Sequence, residues 1–522
     1  MSFKADTKPT HFMADVTDAT QEGQKVTAQE VNIIAAKEIA NLVRSTLGPM
    51  GMDKMLVSND GSITVTNDGA TILRTVNITH PTARMIIQVA KAQEAECYDG
   101  TTSSVIFAGE LMKQTEQLLA KGIHPTMIVR GFKQAAKKAL AHLDTITEKT
   151  GKALNDVALT AMTGKSAEDD GDHLAALCVE AATRSSPNDV NIVVRPGAPV
   201  SDSFFTDGCI VDKSKMIHSM PDAVVGAKVA LFDCELTVPS LGQGVNMQFN
   251  DPTLASQYLE EKKTELATIA QQIIDSGANV VLSMKDIDPA VADVFARNKV
   301  YAARRVAASD LEAVAVATNA TIVSNALDIE PADLGECDSV EEKKFDLSPR
   351  PLLFFNGVPN SEVSSIMVFA PTEHLAYEIG RALDDAVGVV HIAHKDNAIV
   401  SGGGSAYMSM SLQVKDFAAS VGGRAQLAVE AYAEALEIIP ATLAENCGLS
   451  PIDSLLKLRV AHANGDHGAY IDAFEGDLSA DRTVIEPKRV VHTAVQGATD
   501  TACMILRIDN IVTAKEPDEF GM

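Results

Sequence analysis

The segment Asp99-Gly100-Thr101-Thr102-Ser103 contains the residue types that bind phosphate. A glycine that opens a helix leaves backbone N–H groups free at the positive end of the helix dipole, and hydroxyl side chains add donors. The Asp99 carboxylate would repel a phosphate unless a cation lay between them, and Mg²⁺ prefers one or two carboxylates plus phosphate oxygens. The segment therefore fits a site for Mg²⁺ and phosphate, but Asp99 also fits an ordinary helix N-cap.

Three other places offer chemistry with equally ordinary alternatives. Asp68, in Thr66-Asn67-Asp68-Gly69, could position a water or a metal, or could simply belong to an Asp-Gly turn. Asp385 follows Arg381 by four residues, which also fits a surface ion pair of about 0.3–0.5 kcal/mol. The run Gly402-Gly403-Gly404 allows close approach of a ligand to the backbone, or serves as a flexible joint.

Several familiar site patterns are missing from the sequence. It has no G-x-x-x-x-G-K-[ST] phosphate loop, no G-x-G-x-x-G after a predicted strand, no H-E-x-x-H and no C-x-x-C. Walker-type, dinucleotide-binding and zinc-binding interpretations therefore have no support.

The composition narrows the class of protein further. The 522 residues are 46% hydrophobic, and 44 basic against 70 acidic residues give a net charge of −26. Such a charge disfavours nucleic acid and anionic membranes as partners. No stretch reaches the roughly 20 apolar residues of a membrane span, and Met1–Thr20 lacks the apolar core of a secretory signal. The seven dispersed cysteines suit a reducing compartment, so we expect a cytoplasmic protein.

The elements that must position these residues follow from hydrophobic periodicity. The segment up to about Lys25 is polar and expected to be loosely held, and Asp60-Gly61 between two β-prone runs predicts a hairpin. Helices are predicted from Ala83 to His142. A first helix is predicted from an apolar stripe formed by Val31, Ala35, Ile39 and Leu42.

The middle of the chain has a different texture. From about Asn191 to Ser364, β-rich runs alternate with helical ones, which predicts an α/β domain. A long polar helix from about Thr253 to Ser276 carries its apolar residues mainly in its C-terminal half, so its first half should project from the domain. Helical patterns return from Thr372, which suggests a middle domain inserted into a helical one.

Taken together, the motifs resemble the group II chaperonins, with archaeal thermosomes the nearer likeness and the eukaryotic cytosolic chaperonin the more distant one. The resemblance extends over essentially the whole chain. The matching segments are Thr46-Leu47-Gly48-Pro49, Gly51-Met52-Asp53-Lys54-Met55-Leu56, Thr66-Asn67-Asp68-Gly69-Ala70-Thr71-Ile72-Leu73, Asp99-Gly100-Thr101-Thr102, Gly109-Glu110-Leu111, Gly122-Ile123-His124-Pro125, Gly402-Gly403-Gly404, Ile485-Glu486-Pro487 and Met504-Ile505-Leu506-Arg507-Ile508-Asp509.

The resemblance implies a multidomain α+β fold. A helical equatorial domain that binds ATP would comprise residues 1–146 and 402–522, and a hinge-like intermediate domain residues 147–213 and 367–401. An inserted α/β apical domain that binds substrate would span residues 214–366. Its helical protrusion, at about residues 240–275, would act as a built-in lid.

The resemblance also implies activity and partners. The expected function is ATP-driven enclosure and folding of non-native proteins, with ATP and Mg²⁺ as cofactors. Identical or paralogous subunits would form two stacked rings, with eight subunits per ring expected and nine as the alternative. No separate lid co-chaperonin, nucleic acid or membrane would take part.

Residue roles are implied motif by motif. Asp99 would bind Mg²⁺, Asp68 would orient the attacking water, and Asp385 would act as the base or position the water on domain closure. Lys165, in Thr163-Gly164-Lys165, would sense the γ-phosphate. The remaining nucleotide-binding positions would be Gly100, Thr101, Thr102 and Ser103 at the phosphates, Leu47, Gly48 and Pro49 lining the nucleotide, and Gly403 and Glu486 at the ribose and adenine side.

Four departures from the family pattern stand out. Met50 replaces a usual Lys, Tyr98 a common Gly, and Ser401 a frequent Pro, while Phe369-Ala370-Pro371-Thr372 replaces Arg-Gly-Gly-Thr and predicts a stiffer hinge. The acidic residues assigned to chemistry are retained, so we predict an active ATPase.

The sequence leaves two rival interpretations open. One is a ring subunit that hydrolyses ATP slowly or not at all. The other is a metal-dependent phosphotransferase acting on a metabolite, which would rarely run near the mass of a double ring in gel filtration.

Overall fold

The computed structural model describes residues 28–57, 63–76, 78–165, 170–238, 252–345, 351–360, 362–481 and 483–510. The polar segment up to about Lys25, the Asp60-Gly61 turn and the first part of the protrusion lie outside the described residues. The chain divides into two compact units. The first unit comprises Met1–Glu168 and Gly388–Met522, and the second, Asp169–Val387, is one continuous insertion between them.

The α-helices are numbered in chain order. They are α1 (Ala28–Arg44), α2 (Gly69–Thr75), α3 (Pro81–Cys97), α4 (Thr101–Ala120), α5 (Pro125–Thr145), α6 (Leu154–Met162), α7 (Gly171–Arg184), α8 (Pro252–Asp275), α9 (Pro289–Arg297), α10 (Ala308–Thr318), α11 (Glu373–Asp396), α12 (Ser405–Val421), α13 (Gly423–Leu436), α14 (Ile438–Asn446), α15 (Pro451–Ala463) and α16 (Lys488–Ile505).

The strands are numbered in the same way. They are β1 (Lys54–Val57), β2 (Ile63–Thr66), β3 (Val190–Pro196), β4 (Phe204–Val211), β5 (Ala223–Phe232), β6 (Val280–Ser283), β7 (Tyr301–Ala303), β8 (Ile322–Val323), β9 (Gly335–Lys343), β10 (Leu352–Asn356), β11 (Ser364–Ala370), β12 (Ile399–Ser401), β13 (Tyr470–Asp472), β14 (Asp477–Ser479) and β15 (Ile485–Pro487). The predicted combination of helical and mixed α/β regions is confirmed.

Helix α4 lies at the centre of the first unit, with most of its residues buried against α1, α3, α13 and α16. The crossing with α1 is close, because a Cβ placed on Gly109 would lie 2.2 Å from the Cβ of Ala40. Only a residue without a side chain permits this approach. Helix α4 is therefore held closely against α1.

Helix α1 buries a wider face than the sequence predicts. Ala35 and Ile39 are buried as expected, whereas Val31 and Leu42 are only half-buried. Two helices, α4 and α3, cover α1, so its apolar stripe extends further around the helix. The additional buried apolar residues are Ile33, Ala36, Ala40 and Val43.

The predicted hairpin is formed by β1 and β2. The strands pair antiparallel, with Lys54 opposite Thr66 and Val57 opposite Ile63. The hairpin leads directly into α2, so it delivers Asp68 to the start of that helix.

The second unit is built on one mixed sheet. The strand order is β3-β11-β4-β10-β9-β5-β6-β7, and β8 pairs with β5. Strands β5, β6 and β7 are mutually parallel, as are β3 and β11, and β9 and β10 run antiparallel to their neighbours. Helices α8, α9 and α10 alternate with β5, β6, β7 and β8 along the chain, as the sequence pattern predicts, whereas β3, β4 and β5 follow one another without an α-helix between them.

The period of two along a strand places residues of β5 on opposite faces of the sheet. Val229 and Leu231 pack in one hydrophobic cluster, with α10, and Ala230 and Phe232 pack in another. Helix α8 joins the second cluster. It contributes Leu266, Ala270 and Ile273, which lie in its C-terminal half, while Glu260 and Glu261 are exposed.

The boundaries predicted for three domains cut through this sheet. The boundary at residues 366 and 367 falls inside β11, which pairs with both β3 and β4. Strand β4 pairs in turn with β10, so β3 and β11 are continuous with the rest of the sheet. The three-domain division stays a prediction.

Two further findings concern the chain as a whole. Among the described residues, no helix combines the length and apolarity needed to cross a membrane. All seven cysteines are free thiols, and five of them are buried.

Candidate functional site

The N-terminus of α4 begins with a glycine that the backbone requires. Gly100 has φ = +76°, in the left-handed region, and a Cβ there would lie 2.7 Å from Cγ1 of Val490. No side chain caps the first turn of α4. The N–H groups of this turn, together with the hydroxyls of Thr101, Thr102 and Ser103, form a set of donors suited to phosphate.

A second helix N-terminus meets the first. Asp68 caps α2, and its carboxylate accepts hydrogen bonds from the N–H groups of Ala70 at 3.1 Å and Thr71 at 2.8 Å. A Cβ on Gly69 would lie 2.4 Å from Oγ1 of Thr102, so the starts of α2 and α4 are in contact. Asp68 is thus a helix cap rather than an isolated turn residue. Its carboxylate is held rigidly beside the phosphate donors.

Asp99 does not cap α4, which removes the ordinary alternative for this residue. The cap position is Gly100, and Asp99 accepts a hydrogen bond from the Gly100 N–H at 2.7 Å. Burial raises the pKa of the Asp99 carboxyl, against the opposing effects of Lys165 and the Gly100 N–H, and the charge of Asp68 raises it further. A buried carboxylate beside a second acid is a site that a cation would stabilise.

The residues fit Mg²⁺ together with a phosphate ligand. Within the described residues, no group of three or more His, Cys, Asp and Glu side chains is arranged to hold a metal ion. A cage made only of protein ligands is therefore not formed there. Mg²⁺ is commonly bound by one or two carboxylates with phosphate oxygens and water, which matches Asp99 beside the start of α4.

Lys165 lies on a loop that close backbone contacts hold in place beside the site. Gly164 has φ = +77°, and a Cβ there would lie 2.7 Å from the Cα of Pro49. The Gly164 carbonyl accepts a hydrogen bond from Nδ2 of Asn67 at 2.6 Å. Lys165 is close enough to influence the pKa of Asp99. Asn67 thus connects the Lys165 loop to Asp68, a role that the sequence analysis did not assign.

The segment Leu47-Gly48-Pro49 is fixed from the opposite side. The Leu47 carbonyl accepts a hydrogen bond from Nδ2 of Asn446 at 2.8 Å. Gly48 has φ = +85°, and a Cβ there would lie 2.5 Å from Cδ2 of Leu443. The hydrogen bond to Asn446 and the packing against Leu443 fix the segment. The contact between Gly164 and Pro49 places it beside the loop that carries Lys165.

Gly403 and Glu486 come from two paired strands. Strands β12 and β15 run antiparallel, with Val400 opposite Glu486, and β12 leads into Gly403, which has φ = +55°. A Cβ on Gly403 would lie 2.7 Å from Cδ2 of Tyr470. Burial raises the pKa of Glu486 to about 8, and the charge of Asp99 contributes to this rise. Glu486 therefore belongs to the same electrostatic environment as Asp99.

Tyr407 is a residue of this site that the sequence analysis missed. It lies in the first turn of α12, just after Gly403 and Gly404, and is 3% exposed. Burial raises the pKa of its phenol, and the charges of Glu486 and Asp99 raise it further. A tyrosine so soon after a glycine run was the available signal.

Asp385 is the one predicted acid that belongs to the second unit. It is partly buried on α11, and the division between the units falls between Val387 and Gly388, inside this helix. The first unit brings together Asp68, Asp99, Lys165 and Glu486. The catalytic role of Asp385, like the roles of those four residues, remains a prediction.

The departures from the family pattern have distinct surroundings. Met50 is 44% exposed, and Ser401 ends β12, paired with Ile485. Phe369 and Ala370 are the buried last residues of β11, parallel to β3. Tyr98 adopts φ = +58° at the C-terminus of α3.

Comparison with known proteins extends these observations. The model of the TCP-1/cpn60 chaperonin family matches residues 39–516. A thermosome subunit of Methanopyrus kandleri is 42% identical over 505 residues, which cover 94% of this chain and 92% of the relative. Thermosome subunit beta of Methanothermobacter thermautotrophicus is 43% identical over 507 residues, covering 95% and 94%. Thermosome subunit alpha of Thermoplasma acidophilum is 41% identical over 514 residues, covering 96% of this chain and 94% of the relative.

The resemblance to thermosomes is thereby confirmed. Because the family match includes both units and every candidate site residue named above, the chain belongs to the TCP-1/cpn60 chaperonin family.

Proposed function

We propose that this chain is an ATP-dependent chaperone that hydrolyses ATP with Mg²⁺ and uses the reaction to enclose and fold non-native proteins. The observation that carries the proposal is the meeting of two helix N-termini, those of α2 and α4, beside the Asp99 carboxylate. Phosphoryl transfer requires positioning and charge stabilisation more than covalent help, and this arrangement supplies both.

Each residue of the first unit has a defined task in the proposed reaction. The donors at Gly100–Ser103 hold the phosphates, and Leu47-Gly48-Pro49 lines the nucleotide. Asp99 holds Mg²⁺, which when bound would neutralise charge on the phosphate oxygens. Lys165 detects the γ-phosphate. The remaining assignments are Gly403 and Glu486 at the ribose and adenine side.

Two carboxylates act on the attacking water. Asp68 is fixed by hydrogen bonds from the Ala70 and Thr71 N–H groups and from the Thr71 hydroxyl, so the remaining lone pair on Oδ1 keeps a constant direction. Asp385 supplies the second carboxylate from the other unit. Because it is not part of the first unit, hydrolysis becomes conditional on a closing movement, and ATP favours the closed state by contacts made only there.

The larger assembly follows from the same proposal. Identical or paralogous subunits form two stacked rings in the cytoplasm, with eight subunits per ring. Equatorial, intermediate and apical domains divide the chain as predicted from the sequence. The protrusion at about residues 240–275 closes the cavity as a built-in lid, without a separate co-chaperonin.

The decisive experiment compares Asp385→Ala with the matched control Asp384→Ala, at the exposed neighbouring acid on the same helix. Steady-state ATP hydrolysis by the assembled particle is expected to fall at least about 100-fold in Asp385→Ala, because a positioned base contributes that much. Nucleotide binding should be retained, and Asp384→Ala should hydrolyse ATP like the wild type. Unchanged turnover in Asp385→Ala would remove Asp385 from the mechanism. Negligible turnover of the wild type would favour a structural ring subunit.

A further inference from the structure

The ring of Tyr98 lies directly on Gly388 of helix α11. A Cβ placed on Gly388 would be 2.2 Å from Cγ, 2.5 Å from Cδ2 and 2.6 Å from Cδ1 of Tyr98. The ring therefore fills the space that a side chain at position 388 would need. Tyr98 immediately precedes Asp99, and Gly388 follows Asp385 by three residues on the same helix.

Both partners of this contact are unfavourable choices for their local structure. Tyr98 adopts φ = +58°, a left-handed conformation that residues with a side chain rarely take. Gly388 lies inside a helix that runs from Glu373 to Asp396, where glycine is among the poorest helix formers. The contact accounts for both, since the ring reaches α11 from a left-handed turn and finds room there only beside a glycine.

The loop that holds Asp99 is attached to the first unit on its other side. Gln93 on α3 donates hydrogen bonds from Nε2 to the Asp99 carbonyl at 2.9 Å and to the Val490 carbonyl at 3.0 Å. These bonds fix the loop to α3 and to the start of α16. The Tyr98 ring adds a contact with α11, at the first residue after the division between the units.

We propose that Tyr98 is a positioning residue that ties the loop bearing Asp99 to the helix bearing Asp385. The ring occupies the space beside Gly388 and so fixes the position of α11 at that residue. The Asp99 loop is thereby held to the end of α11 that belongs to the first unit, three residues beyond Asp385. The inference rests on the proposed function, in which both carboxylates act on the same nucleotide.

A double-mutant cycle tests this proposal. Tyr98→Gly removes the ring, Gly388→Ala displaces it, and the double variant contains both changes. Each single variant is expected to lower ATP turnover about tenfold, because small misplacements of catalytic groups have large effects on rate. The dissociation constant for ATP should change far less. The double variant should lose no more than either single variant, since all three lack the same contact.

Tyr98→Phe is the matched control for the ring. It keeps the packing surface and lacks the hydroxyl, so turnover should match that of the wild type. Loss of turnover in Tyr98→Phe would assign the effect to the hydroxyl and overturn the packing argument. Additive losses in the double variant, or wild-type turnover in Tyr98→Gly, would also overturn it.

Hydrogen exchange on the nucleotide-free particle gives a readout that does not depend on activity. Tyr98→Gly and Gly388→Ala should each increase exchange in two segments together, residues 98–104 and residues 385–392. An increase confined to the mutated segment would contradict the coupling. If the wild type proves unable to hydrolyse ATP, the proposed function fails, but hydrogen exchange still tests whether residues 98–104 and 385–392 are coupled. If Gly388→Ala does not fold, the comparison of Tyr98→Gly with Tyr98→Phe decides it.

Discussion

Gly100 begins the candidate phosphate-binding turn under two separate constraints. Its φ of +76° disfavours any residue with a Cβ, and the space beside it is already occupied by Val490 and Gln93. The first constraint is a property of the backbone, and the second is a property of the packing around α3 and α16. A substitution at another glycine that has a positive φ but free space beside it can therefore separate the effect of backbone strain from the effect of packing.

Gly122 offers that comparison, because its φ is +75° and a Cβ there would meet nothing within 4 Å. Gly100→Ala and Gly122→Ala should both lose about 1–2 kcal/mol of unfolding free energy from left-handed strain. Only Gly100→Ala should also weaken ATP binding, since it displaces the start of α4. Urea-induced unfolding and equilibrium binding of ATP measure the two effects. Equal ATP affinities for the two variants would contradict the placement of phosphate at this turn.

The two Asp-Gly pairs show what the sequence could and could not establish at the residue scale. Both Asp68 and Asp99 precede a glycine and a helix, so the sequence alone allowed either residue to cap. In α2 the N-cap residue is Asp68, which has an extended backbone. In α4 the N-cap residue is Gly100, which has a left-handed backbone. Gly100 also packs beside Val490 of α16, a contact that local sequence does not reveal.

At the scale of elements, the crossing of α1 and α4 sets where the site begins. Gly109 lets the two helices approach until its backbone contacts Ala40. Because interiors are close-packed, an extra methyl group at the crossing must push the helices apart or distort them. The start of α4 would move with the helix.

Gly109→Ala is accordingly expected to cost about 1–3 kcal/mol of unfolding free energy through overpacking. Gly497→Ala on α16 is the matched control, since its Cβ would lie 3.5 Å from Cγ1 of Val89, in ordinary contact. That change should instead stabilise by about 0.4–1 kcal/mol, because alanine restricts the unfolded chain. Urea midpoints of the two variants should therefore move in opposite directions. A Gly109→Ala variant as stable as the wild type would show that the crossing can widen freely.

Local signals predicted the elements better than their contacts. Apolar periodicity located α1 and the Asp-Gly signal located the hairpin, since both depend on neighbouring residues. The buried face of α1 was only partly predicted, because α3 and α4 cover it together. The contact between Tyr98 and Gly388 joins segments far apart in sequence, and no local pattern indicates such a pair.

At the scale of the whole molecule, each unit has hydrophobic clusters of its own. The largest cluster of the first unit joins α1, α3, α4, α5, α12, α13 and α16, and two clusters of the second unit cover opposite faces of its sheet. Separate cores favour unfolding in more than one step. Conditions that weaken one unit selectively should make the steps visible.

Acid weakens the first unit at Glu437, which lies between α13 and α14 and is bonded by side chains of α12 and α15. Its carboxylate accepts hydrogen bonds from Lys415 on α12 at 2.5 Å, from Ser411 at 3.0 Å and from Nε of Arg459 on α15 at 3.1 Å. Burial alone would raise the pKa of Glu437, but the hydrogen bonds and charges of Arg459 and Lys415 outweigh it and lower the pKa below 4.5. The folded state therefore holds this proton less tightly than the unfolded chain.

The sign of the linkage follows directly. The stabilisation from Glu437 is fully present above pH 4.5 and disappears as pH falls through the lowered pKa of the folded state. Glu437→Gln should cost about 1–3 kcal/mol at pH 7, because it removes a charged acceptor of several hydrogen bonds. The difference from the wild type should begin to shrink below pH 4.5, where the unfolded chain takes up the proton, and should vanish below the lowered pKa of the folded state, where the folded wild type also loses the charge.

Glu445→Gln serves as the control, since Glu445 forms an exposed pair with Arg44 at 3.0 Å. Exposed pairs contribute only about 0–1 kcal/mol, so this variant should unfold like the wild type at both pH values. Urea titrations at pH 7 and pH 4, with proteolysis to identify which unit has unfolded, measure the effect. A loss in Glu437→Gln that is the same at both pH values would mean that the side chain stabilises the first unit by its shape rather than its charge. A loss that appears in the second unit would show that the two units unfold together.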